Sequence, residues 1–189
     1  MSLPGLAGLG DELAAAGHEL LGVTLVQLGL RVGEQVAHVE RIGIMTGIVP
    51  SGQGWLLTAR GNVMAFKAVA AQTDGDFSLM ERTVPPGART PPPHRHMNCS
   101  EAFFVLDGTI SFWLDSAELA GGAGDFLLVP RGAGHTFGNR SAEPARLLVL
   151  HAPAMDGYFA ELDALWARPE PPTREAEREL MSRYGMEPA

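Results

Sequence analysis

A single cysteine, Cys99, is all the chain carries, so no intrachain disulfide can form. That fits a reducing compartment, and a cytoplasmic location is the expectation. Lysine is scarcer still in proportion, with Lys67 alone; the 14 basic residues face 22 acidic ones, for a formal net charge of -8. With no Lys/Arg cluster to displace counterions, the sequence speaks against a nucleic-acid partner. It contains no run of eighteen apolar residues, so no membrane-spanning helix and no membrane partner are expected. The N-terminus lacks a basic stretch followed by an uninterrupted apolar core, so no secretory signal is read there. What is present is ordinary for a folded domain: 46% hydrophobic and 19% charged residues over a length of 189, which suits one domain with appendages.

Three zones differ in texture. In residues 1–44, Leu13, Leu20, Leu21, Leu25, Leu28 and Val32 recur at helical steps, although Gly17, Gly22, Gly29 and Gly33 each cost about 1 kcal/mol against alanine inside a helix. This N-terminal extension reads either as a helix packed on its own domain or as a partner-binding or dimer-forming helix. Met45 opens a stretch that reads equally as a start. Residues 45–153 hold short segments rich in Val, Phe, Leu and Ile, punctuated by Gly, Pro, Asp and Asn, the pattern of a β-sandwich or barrel. Strands are expected at Trp55–Thr58, Val63–Ala70, Phe77–Val84, Ala102–Leu106, Thr109–Leu114, Phe126–Val129, His135–Phe137 and Arg146–His151. Asp107-Gly108, between two of them, fits a type I′ hairpin turn. Residues 154–189 form a helical tail: Met155, Phe159, Leu162, Leu165 and Trp166 share one helical face, and Thr173 is an N-cap for a second helix ending near Arg183, with Gly185 just past it.

The chemistry concentrates in two clusters. The first reads Gly87, six residues, His94-Arg95-His96, four residues, Glu101, six residues, Gly108. The second reads Gly124, five residues, Pro130-Arg131-Gly132, two residues, His135, three residues, Asn139. On a strand, side chains two apart share a face, so His94 and His96 can converge on one point, with Glu101 arriving from the next strand and His135 from a later one. Any one of these taken alone is more often a satisfied core or surface residue. Together, three imidazoles and a carboxylate make a mixed N/O site for a divalent first-row metal, with coordination positions to spare.

These two clusters resemble the two signature motifs of the cupin superfamily, and the fifteen residues between Gly108 and Gly124 resemble its short intermotif spacing. The second motif matches throughout. The first has six residues where five are usual between glycine and first histidine, a departure ahead of the ligand positions. The resemblance implies a double-stranded β-helix (jelly-roll barrel), mostly β, with flanking N- and C-terminal helices. It implies His94, His96, Glu101 and His135 as metal ligands, with Gly108, Gly124, Pro130, Gly132 and Asn139 as turn and scaffold residues. Val84-Pro85-Pro86-Gly87, Pro91-Pro92-Pro93-His94 and Arg183-Tyr184-Gly185 are similar to phrases of the single-domain cupins described as quercetin-dioxygenase-like.

Strand parity adds Phe103, Phe112, Phe137 and Met80 as lining of a substrate pocket, or as side chains that simply fill a small barrel; Met80 shares its face with Arg82. Cys99 is either a thiol near the metal or a small buried residue. His18, His38 and His151 have no spacing to the motifs and read as structural or solvent-facing. The leading expectation is an oxidoreductase, a dioxygenase with Fe(II), or Mn, Ni, Co or Zn, acting on a small chelating enol or phenolic substrate, with Glu101 as ligand and proton acceptor. A metal-dependent isomerase, cyclase or hydrolase that uses no oxygen, and a non-catalytic small-molecule-binding cupin, are the other readings. A homodimer is the expected assembly.

Overall fold

The computed structural model describes residues 47–115 and 117–189. The helix expected within residues 1–44, and His18 and His38, lie outside the described residues. The elements are β1 Trp55–Ala59, β2 Asn62–Ala68, β3 Ser78–Val84, β4 His94–His96, β5 Ser100–Asp107, β6 Thr109–Leu114, β7 Ala117–Gly122, β8 Phe126–Val129, β9 His135–Gly138, β10 Ala145–Ala152, α1 Asp156–Trp166, α2 Arg174–Arg183 and β11 Met186–Pro188. The strands make two antiparallel sheets, one ordered β1-β2-β3-β10-β5-β8 and the other β11-β4-β9-β6-β7. This is the mostly β jelly-roll architecture expected, with its helices at the C-terminal side.

Alternation explains why these segments are strands. In β10 the residues Ala145, Leu147, Val149 and His151 are buried and their neighbours half-exposed; in β5, Glu101, Phe103 and Val105 point inward while Phe104 points out. Leu147 lies opposite Arg82 and Val105, Val149 opposite Met80 and Phe103, and His151 opposite Ser78 and Glu101. Three inward tiers therefore cross β3, β10 and β5, and the polar tier sits at one end of the ladder.

Asp107-Gly108 does not close a hairpin. β5 pairs with β10 and β8, β6 pairs with β7 and β9, and the dipeptide is the corner where the chain leaves one sheet for the other. Gly108 has φ 75°, and a Cβ there would stand 2.6 Å from the Pro144 carbonyl oxygen, so close backbone approach at the corner selects glycine. Two strands have no counterpart in the sequence expectations. Ala117–Gly122 carries little β preference and is a strand because its whole length pairs with β6. Met186–Pro188 follows α2, turns at Gly185 (φ 71°) and pairs with β4, Met186 opposite His96 and Pro188 opposite His94. The expected strand Val63–Ala70 stops at Ala68, and Ala70–Gln72 forms a 3-10 turn.

The helical tail is tied down by polar contacts as well as by its buried residues Tyr158, Phe159, Leu162, Leu180 and Met181. Asp163 accepts the Thr58 amide at 2.7 Å, and the Thr173 hydroxyl accepts the Ala176 amide at 3.1 Å as the expected N-cap. Glu177, fully buried on α2, faces Arg60 at 3.4 Å, Arg174 at 3.5 Å and Arg89 at 3.7 Å. No helix among the described residues is long and apolar enough to cross a membrane.

Candidate metal centre

Each motif residue reaches the barrel interior by a different route. His94 and His96 sit on the three-residue β4, which lies between β9 and β11. The Gly132 amide, from the turn of the second motif, donates to the His96 carbonyl at 2.8 Å, so the two motifs brace each other. Glu101 opens β5 on the opposite sheet, and His135 opens β9 directly across from His94. Asn139 is scaffold: its amide donates to the carbonyls of Val84 and Glu143, and its side-chain oxygen accepts the Ser141 amide.

The four expected residues meet. One donor atom from each of His94, His96, Glu101 and His135 lies within 4.8 Å of the others, and all four side chains are buried. His94 Nδ1 faces the Pro92 carbonyl at 2.9 Å and His135 Nδ1 faces the Ala133 carbonyl at 3.2 Å. A carbonyl only accepts, so each Nδ1 carries the proton and the Nε2 edge is turned to the centre. There His94 Nε2 and His96 Nε2 stand 3.2 Å apart, while Glu101 Oε2 is 3.2 Å from His96 Nε2 and 2.8 Å from His135 Nε2. Either a proton on His96 Nε2 or a cation lies between these two nitrogens, since two facing lone pairs would repel. The donor set fits a divalent ion: His94 and His135 are fixed with Nε2 as acceptor, His96 Nε2 meets them there while its Nδ1 is buried without a partner, and one carboxylate offsets charge.

The electrostatics of His94 and Glu101 agree with a ligand role, while His135 is drawn toward its protonated form by Glu101. Burial, reinforced by neighbouring His135, pushes the His94 pKa down to about 3, so this imidazole is neutral near pH 7. Burial opposes the charge on Glu101, yet His151, His135 and His96 outweigh it and hold this carboxyl well below the usual range. Burial also disfavours the His135 cation, but the Glu101 carboxylate raises its pKa overall.

His151 belongs to this cluster, contrary to the expectation of a structural or solvent-facing histidine. It is 1% exposed, and its Nε2 lies 3.0 Å from Glu101 Oε1, the carboxylate oxygen turned away from the other three histidines. The signal available in the sequence is parity, since His151 continues the buried face of Leu147 and Val149. Cys99 stays apart from the donor cluster. Its thiol donates to the carbonyls of Ser100 and Pro153, and burial, with Glu101 nearby, pushes its pKa up to about 11, so it is a small buried residue rather than a reactive thiol.

Phe103, Phe112, Phe137 and Met80 are all buried in the core between the sheets. The Phe103 ring centroid lies 5.1 Å from that of Phe112 and 5.0 Å from that of Phe137, edge to face. Their rings fill the interior between the sheets next to the histidines. Arg82, on the Met80 face as parity expects, is the charged member of this interior. It is 2% exposed, its guanidinium carbon lies 4.8 Å over the Phe137 ring, and its Nε has no hydrogen-bond partner. Burial, and Arg60 near it, lower its pKa to about 10, which still leaves it charged at neutral pH. A ring face returns about 2 kcal/mol or somewhat more when desolvated, whereas burying a charge costs several.

Comparison with known proteins agrees with this architecture. Residues 80–151 match the cupin domain family, which supports a cupin domain in this part of the chain. Quercetin 2,3-dioxygenase of Bacillus subtilis (strain 168) is 30% identical over 95 residues, which cover 50% of this chain and 28% of that relative. The crystal structure of a predicted oxalate decarboxylase from Thermotoga maritima superposes with a TM-score of 0.50 at 20% identity, over 57% of this chain and 99% of that one. A sugar phosphate isomerase of the cupin superfamily from Silicibacter pomeroyi gives a TM-score of 0.44 at 26% identity, over 50% of this chain and 65% of that one. The matched region thus spans under a third of the curated relative's length, and the likeness to the Thermotoga maritima structure speaks to the fold alone.

Proposed function

We propose that His94, His96, Glu101 and His135 hold one divalent first-row transition ion, Fe(II) foremost, and that the protein is an oxygen-dependent enzyme acting on a small chelating enol or phenol. The observation that carries this reading is the convergence of three Nε2 edges and one carboxylate within 4.8 Å, all on buried side chains. Similarity to quercetin 2,3-dioxygenase supports the choice of dioxygenase among metal-dependent reactions. A bound ion of this kind would supply Lewis acidity toward an enol oxygen and, if redox-active, access to dioxygen. The chain's own residues do the rest. His151, on Glu101 Oε1, orients the carboxylate and leaves Oε2 toward the histidines, from where it can accept the substrate's hydroxyl proton. Phe103, Phe112, Phe137 and Met80 exclude water around that proton transfer.

A reaction without oxygen is the second reading, favoured by the Glu101–His151 pair, which is a ready acid/base couple that needs no redox partner. A homodimer would cover the apolar outer face at Phe104, Phe126 and Leu128, exposed to 40%, 64% and 56%. Metal content of untagged protein purified without chelator, read by mass spectrometry beside a His94→Ala/His96→Ala control, tests the proposal. About one equivalent, absent from the control, is expected. Protein that neither carries nor takes up metal refutes both enzyme readings, and zinc as the resident metal would select the reaction without oxygen.

A further inference from the structure

The interior of the barrel contains one charge that no described contact explains. Arg82 occupies the same inward face of β3 as Ser78 and Met80, and its cross-strand neighbours there, Met64 and Leu147, are apolar. No side-chain hydrogen bond or ion pair to its guanidinium occurs among the described residues, and its Nε is buried without a partner. Contrast Arg60, equally buried, which meets Glu177 and donates to the Tyr158 hydroxyl at 3.1 Å. Native proteins rarely leave a buried guanidinium unpaired, because it gives up its hydration for nothing in return. Arg82 instead rests on Phe137, two residues along β9 from His135 and on the same inward face, although on β3 it starts two tiers from the level of Glu101.

We propose that Arg82 is an anion-binding residue, and that the ligand it takes is a small enolisable carboxylic acid whose carboxylate pairs with the guanidinium. The charge inventory supports an anion. The inward polar groups are Ser78, Arg82, Glu101, His94, His96, His135 and His151, with Glu101 the one fixed negative charge among them. A divalent cation on the histidines would leave the interior with two net positive charges, which a carboxylate and an enolate oxygen of one ligand offset. Guanidinium forks match carboxylates in shape, and the Arg82 Nε–H is buried with no acceptor. Size follows from packing: with Arg82 2% exposed and the three aromatic rings in contact, the interior suits an acid of few heavy atoms rather than a fused-ring phenol. The choice of an enolisable acid rests on the proposed metal function; the anion preference rests on Arg82 itself.

The test titrates pyruvate and pyruvamide, alike in shape and different in charge, into metal-free protein and into protein loaded with one equivalent of Zn²⁺, by calorimetry with metal content measured in each sample. Wild type should bind pyruvate at least tenfold more tightly than pyruvamide. Arg82→Gln should erase that ratio with zinc content unchanged, and Arg82→Lys should restore part of it. A wild type that does not discriminate, or a ratio that survives in Arg82→Gln, overturns the proposal. Arg82→Met guards against a folding artefact. Removing an unpartnered buried charge should raise the Tm of the metal-free protein, whereas a lower Tm would make the guanidinium structural and refute the assignment. Discrimination without zinc uptake would support Arg82 and remove the metal reading instead.

Discussion

Two carboxylates are buried in this protein with several cationic or potentially cationic partners each, and they differ in what surrounds them. Glu177, at the seam between α2 and the barrel, faces Arg60, Arg89 and Arg174. Glu101, inside the barrel, faces His96, His135 and His151. Guanidinium groups stay charged at any physiological pH, so Glu177 is permanently compensated and has no exchange to make. Imidazoles can hold a proton or give it up to take a cation, so the same geometry around Glu101 is convertible. The arginine-lined carboxylate fixes the helical tail; the histidine-lined one is the proposed place for chemistry.

Substituting each carboxylate by its amide is the sharpest way to break that contrast. Glu177→Gln leaves the Arg60 charge buried beside a neutral amide and should lower unfolding stability by roughly 3–5 kcal/mol, with metal content per folded molecule unchanged. Glu101→Gln should leave the fold far less affected and damage turnover more than metal retention, because the histidines remain while the proton acceptor is gone. Denaturant unfolding and metal analysis of both variants decide. A metal loss in Glu177→Gln that matches its stability loss, or equal loss of turnover and metal in Glu101→Gln, would erase the distinction.

Much of this arrangement is legible in the sequence. The convergence of His94, His96, Glu101 and His135 follows from spacing on strands, and the barrel follows from short alternating segments. His151 and Arg82 are harder to see because they sit in no motif; only their parity with Leu147 and Val149, or with Met80 and Val84, marks them as inward, and parity says nothing of partners. Asp107-Gly108 reads as a hairpin because local turn preference cannot tell a hairpin from a corner between sheets. β7 and β11 are invisible locally: Ala-Glu-Leu-Ala-Gly-Gly and Met-Glu-Pro become strands only through the neighbours they pair with.

That last point separates the two halves of the candidate centre. Glu101 and His151 stand on eight-residue strands deep in one sheet, whereas His94 and His96 stand on a three-residue strand whose pairing to β9 is the single His94–His135 position. β4 therefore leans on β11, reinforced by the Met97 amide on the Gly185 carbonyl at 3.1 Å. Deleting residues 186–189 should weaken metal affinity by about 100-fold, toward the upper end of the effect of removing groups that orient ligands. His151→Phe, which spares β4 and frees Glu101 Oε1, should cost about 10-fold. Competition with a chelating indicator measures both. A tail deletion that leaves affinity unchanged would show that β4 holds its shape without β11.

The mildest expected effect concerns a third carboxylate, Glu81, on the outer side of β3. Burial opposes its charge, but the Gly52 amide, Lys67 and the Ser51 hydroxyl prevail and bring its pKa to about 2 from an ordinary 4.5. Arg146 lies 2.9 Å from the same group, and unlike the arginines around Glu177 it is substantially exposed to solvent. A carboxyl with a depressed folded-state pKa adds stability that is fully present above about pH 4.5 and disappears as the pH falls toward about 2. Glu81→Gln should therefore be less stable than wild type near neutrality, and the difference should shrink through that window until the two proteins unfold alike. Because Lys67 and Arg146 are partly open to water, added salt should also narrow the gap at neutral pH, while the corresponding gap for Glu177→Gln should hardly move. A salt response of equal size in the two variants would mean that burial does not set these carboxylates apart.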